Sequence, residues 1–403
     1  MQTYQTTRDS GVAWLGDIPT SWGLKRVSEL FKQRNQKVSD KDYAPLSVTK
    51  NGIVPQLDDA AKTNDGDNRK LVLSGDFVIN SRSDRKGSSG LSKLDGSVSL
   101  INTVLSGGKL HPRYTHNLLR SYAFQEEFYR WGQGIVADLW STNYQRMKAI
   151  QLPVPDYETQ KRIADYLDEE TTLIDDLIAK QQHLLELLNE KRRATITYAI
   201  HPTSGTTEQR FRDICVINPS TELNFKDDDV VSFYPMESIG DDGTIDHTQT
   251  RLYSAVKTGY TIFQNGDVTV AKVTPCFENY KGAHMVGIAS GVGFGTTELF
   301  VLRASEKVTP EYLYWLTQAQ DLNNYLAGGM RGTGGLKRVV PEELKNYKLN
   351  IPTPETQKRI VSRLVEDLKK FEILKQKAVQ QIELLKERRI SLISNVVTGK
   401  VKI

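Results

Sequence analysis

Two stretches of the chain carry the same long apolar stripe. From Ile163 a 4,3 spacing picks out Ile163, Leu167, Glu170, Ile174, Leu177, Gln181, Leu184 and Leu188. From Ile360 it picks out Ile360, Leu364, Asp367, Phe371, Leu374, Ala378, Gln381 and Leu385. Most of these positions are apolar, which is the pattern of a coiled-coil seam. The spacing predicts helices over residues 157–198 and 355–396, each about 60 Å long at ~1.5 Å per residue. Asp156 and Thr353 stand where an N-cap is wanted, and Pro354 stands where a missing N–H costs nothing. A lone helix with such a stripe is not stable in water. The two copies most simply bury their stripes on each other, with a partner protein filling each seam as the alternative.

The stripes belong to an internal repeat. LPVPDYETQKRI at 152–163 matches LNIPTPETQKRI at 349–360, and Glu158 falls on Glu355 at an offset of 197. At that offset Glu186-Leu187-Leu188 falls on Glu383-Leu384-Leu385, and the basic pairs Lys191-Arg192 and Arg388-Arg389 coincide. A register kept without a gap over some forty residues requires one continuous element.

Fainter echoes precede each helix. Leu73–Val78 resembles Phe263–Val268 as a turn feeding a strand, and Asn51-Gly52 and Asp242-Gly243 read as hairpin-type turns. Pro112-Arg113-Tyr114 mirrors Pro310-Glu311-Tyr312, each opening an aromatic-rich helix, and His201–Gln209 reads as the linker between halves. The expected layout is a β-rich domain over 1–150, a long helix over 151–200, a linker and second β-rich domain over 201–347, and a second long helix over 348–403.

Composition narrows the class. The 403 residues hold 38% hydrophobic side chains and a formal charge of +4, which leaves room for local basic surfaces but not for a polybasic tail. Cys215 and Cys276 lie far apart with no CxxC, which excludes a disulfide framework and a cysteine-rich zinc site and points to a reducing, cytoplasmic setting. The opening MQTYQTTRDS lacks the basic-then-apolar order of a signal peptide, and no run of eighteen apolar residues is present, so no membrane partner is expected.

The catalytic inventory is empty. The six histidines form no metal-ligand spacing, so no metal is expected, and no GxxxxGK[ST] phosphate loop occurs. GVGFGT around Gly291, Gly293 and Gly295 is not spaced as a dinucleotide loop and reads as a turn between strands. Asn218-Pro219-Ser220 lacks the second proline and the aromatic of an adenine methyltransferase loop and reads as a turn. Glu343-x-Lys345 has no strand-borne Asp before it to complete a nuclease motif.

What remains suits binding. Six basic residues lie between Arg69 and Lys93 around the turn SDRKGSSG, and the equivalent stretch of the second half is Lys272–Gly282. Both follow a Gly-Asp strand turn. Loops rich in Arg, Lys, Asn, Ser and Thr can bridge phosphates and base edges, whereas the plainer alternative is a solvated loop. The candidate DNA-binding residues are Lys50, Asn51, Arg82, Arg85, Lys86, Ser88, Lys272, Thr274, Asn279 and Lys281. The candidate coiled-coil and partner-docking residues are Ile163, Leu167, Ile174, Leu177, Leu184, Leu188, Ile360, Leu364, Phe371, Leu374 and Leu385.

The sequence resembles the specificity (S) subunits of type I restriction–modification enzymes. The resemblance is carried by GVAWLGDIPTSWGLKRVSELF (11–31), GDVTVAKVTPCFENYKGA (266–283) and the twin ETQKRI segments, and it covers essentially the whole chain. It implies an α+β fold of two β-rich, mixed α/β target-recognition domains. Two long helices, paired as an antiparallel coiled coil, separate them, with an internal pseudo-two-fold repeat. It implies a non-catalytic, sequence-specific DNA-binding subunit whose domains each read one half of a bipartite, asymmetric site on double-stranded DNA. The helices set the gap and dock two methyltransferase (M) subunits, and motor–nuclease (R) subunits complete the assembly. No cofactor is expected in this chain, since AdoMet, ATP and Mg belong to those partners. The Asp156-Tyr157 pair departs from the Thr-Pro of the second copy and is expected to soften the first helix start. Two other functions compete: a DNA methyltransferase or nuclease with its own reader domain, and a protein-interaction scaffold that binds no DNA.

Overall fold

The computed structural model describes residues 3–58, 65–134, 140–333 and 335–403. It divides into two compact units. Unit 1 comprises Met1–Gln181 together with Gln380–Ile403, and unit 2 comprises Gln182–Val379. Both boundaries fall inside the long helices.

Unit 1 is built on a four-stranded antiparallel sheet in the order Ser89–Leu91, Phe77–Asn80, Asn102–Ser106, Lys32–Gln33. Unit 2 contains the same sheet in the same order: Gly282–His284, Val268–Ala271, Leu299–Ala304, Cys215–Ile217. Even the register repeats, with Phe77 opposite Leu105 and Val268 opposite Leu302. The Gly-Asp turn leads into the same strand in each sheet. Gly75 and Gly266 take φ of 92° and 93°, a conformation that costs glycine little. The following carboxylate is buried and accepts a backbone N–H across the turn, Leu73 to Asp76 at 2.9 Å and Gln264 to Asp267 at 2.8 Å. Arg34 closes on Asp76, and Arg303 closes on Asp267, each with two hydrogen bonds. Arg34 lies just after the strand Lys32–Gln33 and Arg303 lies within Leu299–Ala304, which are not equivalent places, so the repeat preserves the charge compensation and not its source.

The halves differ in their second sheets. Unit 1 has three antiparallel strands, Gly96–Val98, Arg69–Val72 and Lys37–Val38. Unit 2 has four, with Val230–Tyr234 running parallel to Val292–Gly295. The glycine-rich segment expected as a turn is therefore largely strand. Only Gly291 is the turn, whereas a Cβ on Gly293 would stand 2.6 Å from the Phe263 ring and 2.8 Å from Tyr234. These glycines make room for aromatic packing. Asn218 does turn the chain, with φ of 51°, and its side chain accepts from Val301 N–H. Glu343 and Lys345 lie on a short helix, Pro341–Asn346, bonded to Tyr325 and Glu342.

Each domain is closed by a two-stranded clamp that ties its beginning to its end. In unit 1 Gly23–Arg26 pairs with Gln151–Val154, and in unit 2 Thr206–Arg210 pairs with Lys348–Pro352. The second half of the expected linker, from Thr206, is thus a strand. Its pairing partner lies some 140 residues away, which no local pattern reveals.

The long helices run over Tyr157–Ile200 and Pro354–Val397, 44 residues each. Asp156 accepts from Thr159 N–H at 2.9 Å, so the first start is capped and not softened. In unit 1 Ile163, Leu167 and Ile174 share a core with Leu392, Val396 and Val397. In unit 2 Ile196 and Ile200 share one with Leu364 and Leu368. The start of each helix meets the end of the other, so they pair antiparallel.

The seam itself is shifted from the expected one. Leu177, Leu184 and Leu374 are 44%, 41% and 48% exposed. Ile178 and Leu185 line the first helix in place of Leu177 and Leu184, and Leu368 and Ile382 are buried on the second. The two 4,3 phases share every seventh residue, Leu167, Ile174, Gln181 and Leu188, and differ by one residue between them. Adjacent apolar pairs such as Leu177-Ile178 and Leu184-Leu185 satisfy both phases, so packing against the domains and the opposite helix selects one.

The repeated glutamine of ETQKRI has a structural task. Gln160 and Gln357 are buried at 3% and 0% exposure. Gln160 accepts from His111 N–H and donates to the Pro155 carbonyl; Gln357 accepts from Thr309 N–H and donates to the carbonyls of Pro352 and Lys307. Each therefore fastens the start of a long helix to the start of the proline-headed helix, Pro112–Arg120 or Pro310–Thr317. Among the described residues no helix is long and apolar enough to cross a membrane.

Candidate nucleic-acid interface

The basic loops occupy the same place in both sheets. In unit 1 residues 81–88 join Phe77–Asn80 to Ser89–Leu91, and in unit 2 residues 272–281 join Val268–Ala271 to Gly282–His284. Each loop is stitched to a segment that follows the domain's helices. Ser83 N–H donates to the Trp140 carbonyl and Thr142 N–H to that of Ser81; Val339 N–H donates to that of Lys272.

In unit 1 Arg82 and Arg85 are exposed, and Ser83–Arg85 forms a single 3-10 turn. Lys86 pairs with Glu126 at 2.5 Å, and its ammonium lies 5.7 Å from the Tyr129 ring centre. Ser88 is buried and offers no surface to a ligand. Lys50 and Asn51 form the exposed tip of the Leu46–Thr49/Gly52–Pro55 hairpin. Arg120 donates to the Lys50 carbonyl. Lys50, Lys86, Arg120, Tyr122 and Gln125 thereby line one shallow depression. Its base is held by His116, whose Nε2 meets Arg120 at 2.8 Å. Burial, then the Arg120 charge, lowers the His116 pKa to about 4, so Arg120 faces a neutral ring.

In unit 2 the Lys272 ammonium lies 5.6 Å from the Phe300 ring centre, and burial lowers its pKa. Thr274 is buried, and its hydroxyl donates to the Gly335 carbonyl and accepts from Lys337 N–H. Its hydroxyl proton and one acceptor position are therefore used inside the protein. Lys281 is half-buried. Asn279 is exposed at the rim of a cavity of about 390 Å³, where the Arg193 guanidinium stacks 4.6 Å from the Tyr280 ring centre. The ten candidates thus separate. Lys50 and Lys86 converge on one depression, Asn51 stands at the exposed hairpin tip beside Lys50, Arg82 and Arg85 stand free of the depression, Ser88 and Thr274 are interior, Asn279 is at the cavity, and Lys272 and Lys281 flank the sheet strands.

Sequence reasoning missed Arg120 and Tyr122, and it missed the exposed antiparallel ribbon Arg331–Thr333/Leu336–Arg338 that Thr274 anchors. The Lys337-Arg338 pair beside a glycine-rich turn was a usable signal for the ribbon. Nothing local marks Arg120, whose partners come from other parts of the chain. Among the described residues no group of three His, Cys, Asp or Glu is placed to hold a metal ion. Cys215 and Cys276 are free thiols, and burial raises that of Cys215 to about 12.

Comparison with known proteins places this geometry. A family described as "Type I restriction modification DNA specificity domain" matches residues 204–384. The EcoEI type I restriction enzyme specificity subunit of Escherichia coli is 35% identical over 214 residues, which cover 51% of this chain and 34% of that protein. The match thus spans about a third of that relative's length. A chain from a structure of type I R-M system complex assembly and conformational transition superposes with a TM-score of 0.67 at 14% identity, over 95% of this chain and 99% of that one. The HsdS subunit from Thermoanaerobacter tengcongensis superposes with a TM-score of 0.54 at 16% identity, over 95% and 98%. At these identities the likeness is one of fold.

Proposed function

We propose that this chain is a specificity subunit of the type I restriction–modification kind, which its sequence resembles over residues 204–384, and that it is a non-catalytic reader of a bipartite, asymmetric DNA site. Its target-recognition domains, residues 1–150 and 201–347, each read one half-site. The observation that carries this is the repeated sheet with its unrepeated companion. Both units present a basic loop at the same turn of the same four-stranded sheet, while their second sheets differ in strand number and direction. Equal placement with unequal surfaces suits two different half-sites.

In this proposal the long helices set the gap and dock two methyltransferase subunits. Apolar side chains exposed on them support docking: Leu173 and Leu177 in unit 1, and Leu184, Leu187, Ile373 and Leu374 in unit 2. Motor–nuclease subunits complete the restriction assembly, and AdoMet, ATP and Mg act on those partners.

The test is methylation mapping across a host genome after co-expression with the methyltransferase subunit. Replacing residues 22–147 by another such domain changes one half-site and leaves the other. A change in both, or none, overturns modular reading. Four residues inserted in both helices near Gln181 and Ala378 lengthen the spacer by about 6 Å and widen the gap by one or two base pairs. An unchanged gap assigns the spacing to the methyltransferase subunits.

A further inference from the structure

The paired strands Arg331–Thr333 and Leu336–Arg338 contribute nothing to the core. All six of their paired residues, Arg331, Gly332, Thr333, Leu336, Lys337 and Arg338, are exposed. The shape of the ribbon is nevertheless tightly specified. Gly332 takes φ of 151°, where a Cβ would stand 2.2 Å from the Leu336 carbonyl oxygen, and Gly335 takes φ of 82°. The buried Thr274 holds the returning strand through its hydroxyl and through its N–H, which donates to the Lys337 carbonyl at 3.0 Å. A ribbon anchored at Thr274 whose paired residues are all exposed is placed to present their side chains.

Those side chains are cationic. Arg331, Lys337 and Arg338 are not balanced by any acid within the paired residues. Arg331 stands directly opposite Arg338, and like charges at such a pair oppose strand pairing. Glu298 compensates Arg338 at 2.8 Å, and Arg331 has no ion pair among the described residues. Alternation puts Arg331, Thr333, Leu336 and Arg338 on one face and Lys337 on the other. The ribbon also continues the Lys272–Thr274 edge, one of the two repeated basic loops. Two strands about 4.8 Å apart with their side chains fit a groove about 12 Å wide.

We propose that this ribbon is a DNA-contacting arm that lies in the major groove, with Arg331 facing base edges and Lys337 taking a phosphate. Leu336, 52% exposed beside Arg331, offers an apolar surface of the kind that meets a thymine methyl group. The uncompensated Arg331 charge then finds its counter-charge in the ligand. This assignment rests on the DNA-reading function proposed above.

The experiment compares the full chain with its Arg331→Ala and Lys337→Ala variants, alone and co-expressed with the methyltransferase subunit, on a library of duplexes over a salt series. Lys337→Ala weakens binding to all sequences and lowers the salt slope by about one. Arg331→Ala relaxes preference at one or two base pairs by about tenfold to a hundredfold. Thr274→Val, which frees the ribbon without removing a charge, weakens both effects' common source and lowers preference at the same base pairs. If the wild-type chain binds and both variants keep its slope and preferences, the ribbon assignment fails while the function stands. If the variants instead lose the methyltransferase subunit with an unchanged slope, the ribbon is a protein-docking element. If the wild-type chain binds no duplex in either form, the function itself fails.

Discussion

The phenol of Tyr312 donates to the carbonyl of Ile200 at 2.5 Å, closing the end of the first long helix from within the second domain's own helix, Pro310–Thr317. Tyr114 stands at the equivalent end of the second long helix, 3.0 Å from the Pro153 carbonyl and 3.3 Å from that of Val397. The last carbonyls of a helix have no partner inside it, and here a buried tyrosine supplies one. Tyr312→Phe keeps the packing and leaves the Ile200 carbonyl without this donor. We expect a loss of about 1–2 kcal/mol, read from the midpoint of urea unfolding. A midpoint equal to wild type would show that water takes over the bond.

The seam phase makes a second expectation. Ile174→Ala removes a side chain 2% exposed and should cost about 2–4 kcal/mol, whereas Leu177→Ala at 44% exposure should stay within about 0.5 kcal/mol. If Leu177 belongs to a docking surface, its substitution weakens methyltransferase association without lowering stability. Thermal unfolding and co-purification separate the two effects. Equal destabilisation by both variants would restore the other phase.

His116 predicts an acid-side loss of stability. Burial and the neighbouring charges of Arg120, Lys93 and Arg389 lower its pKa to about 4, against the opposing pull of Asp168. The unfolded chain takes up the proton near pH 6.5 and the folded chain does not until about pH 4. Stability is therefore whole above pH 6.5 and falls as the pH drops through that window, by up to about 1.4 kcal/mol per pH unit. His111 and His284 shift in the same direction by burial. His116→Gln should flatten part of the slope between pH 6.5 and 4 in denaturation measured across pH. A slope unchanged from wild type would remove His116 as its source.

Asp267 predicts a loss comparable to that at Ile174, from a broken ion pair and not from a cavity. It is 1% exposed, and Arg303 and the Gln264 N–H both bond to its oxygens. Asp267→Ala takes the carboxylate from the guanidinium, which keeps the Ser220 carbonyl and the Thr221 hydroxyl, and opens the turn. Because Arg303 keeps 27% of its side chain in water, the expected cost is at the lower end for a broken buried pair, about 3 kcal/mol. Asp267→Ala with Arg303→Leu should recover part of it. Additive losses in that double-mutant cycle would show that the pair is not coupled.

How much of the site was legible in the sequence differs residue by residue. The loop positions of Arg82, Arg85 and Lys272 followed from the Gly-Asp turn that precedes them, a local signal present twice. Ser88 and Thr274 have the residue types of a DNA-facing loop and are interior, because their burial is decided by segments that fold back from elsewhere. Arg120 escaped notice since its role depends on His116 and on the Lys50 carbonyl, brought together only by the folded unit.

The sequence by itself determined what is local: two long helices, expected over 157–198 and 355–396 and found over Tyr157–Ile200 and Pro354–Val397, from their periodicity and caps, two glycine turns from their composition, and the duplication from its offset. Periodicity, capping and turn chemistry act over a few residues, so they are written in order along the chain. The tertiary structure alone decided which side of each helix is the seam, which acid meets which arginine, and that Thr206–Arg210 is a strand. It also decided that an exposed ribbon stands beside the second basic loop. Each of these depends on partners remote in sequence, and a side chain's pattern records its own preference but not the surface that will be pressed against it.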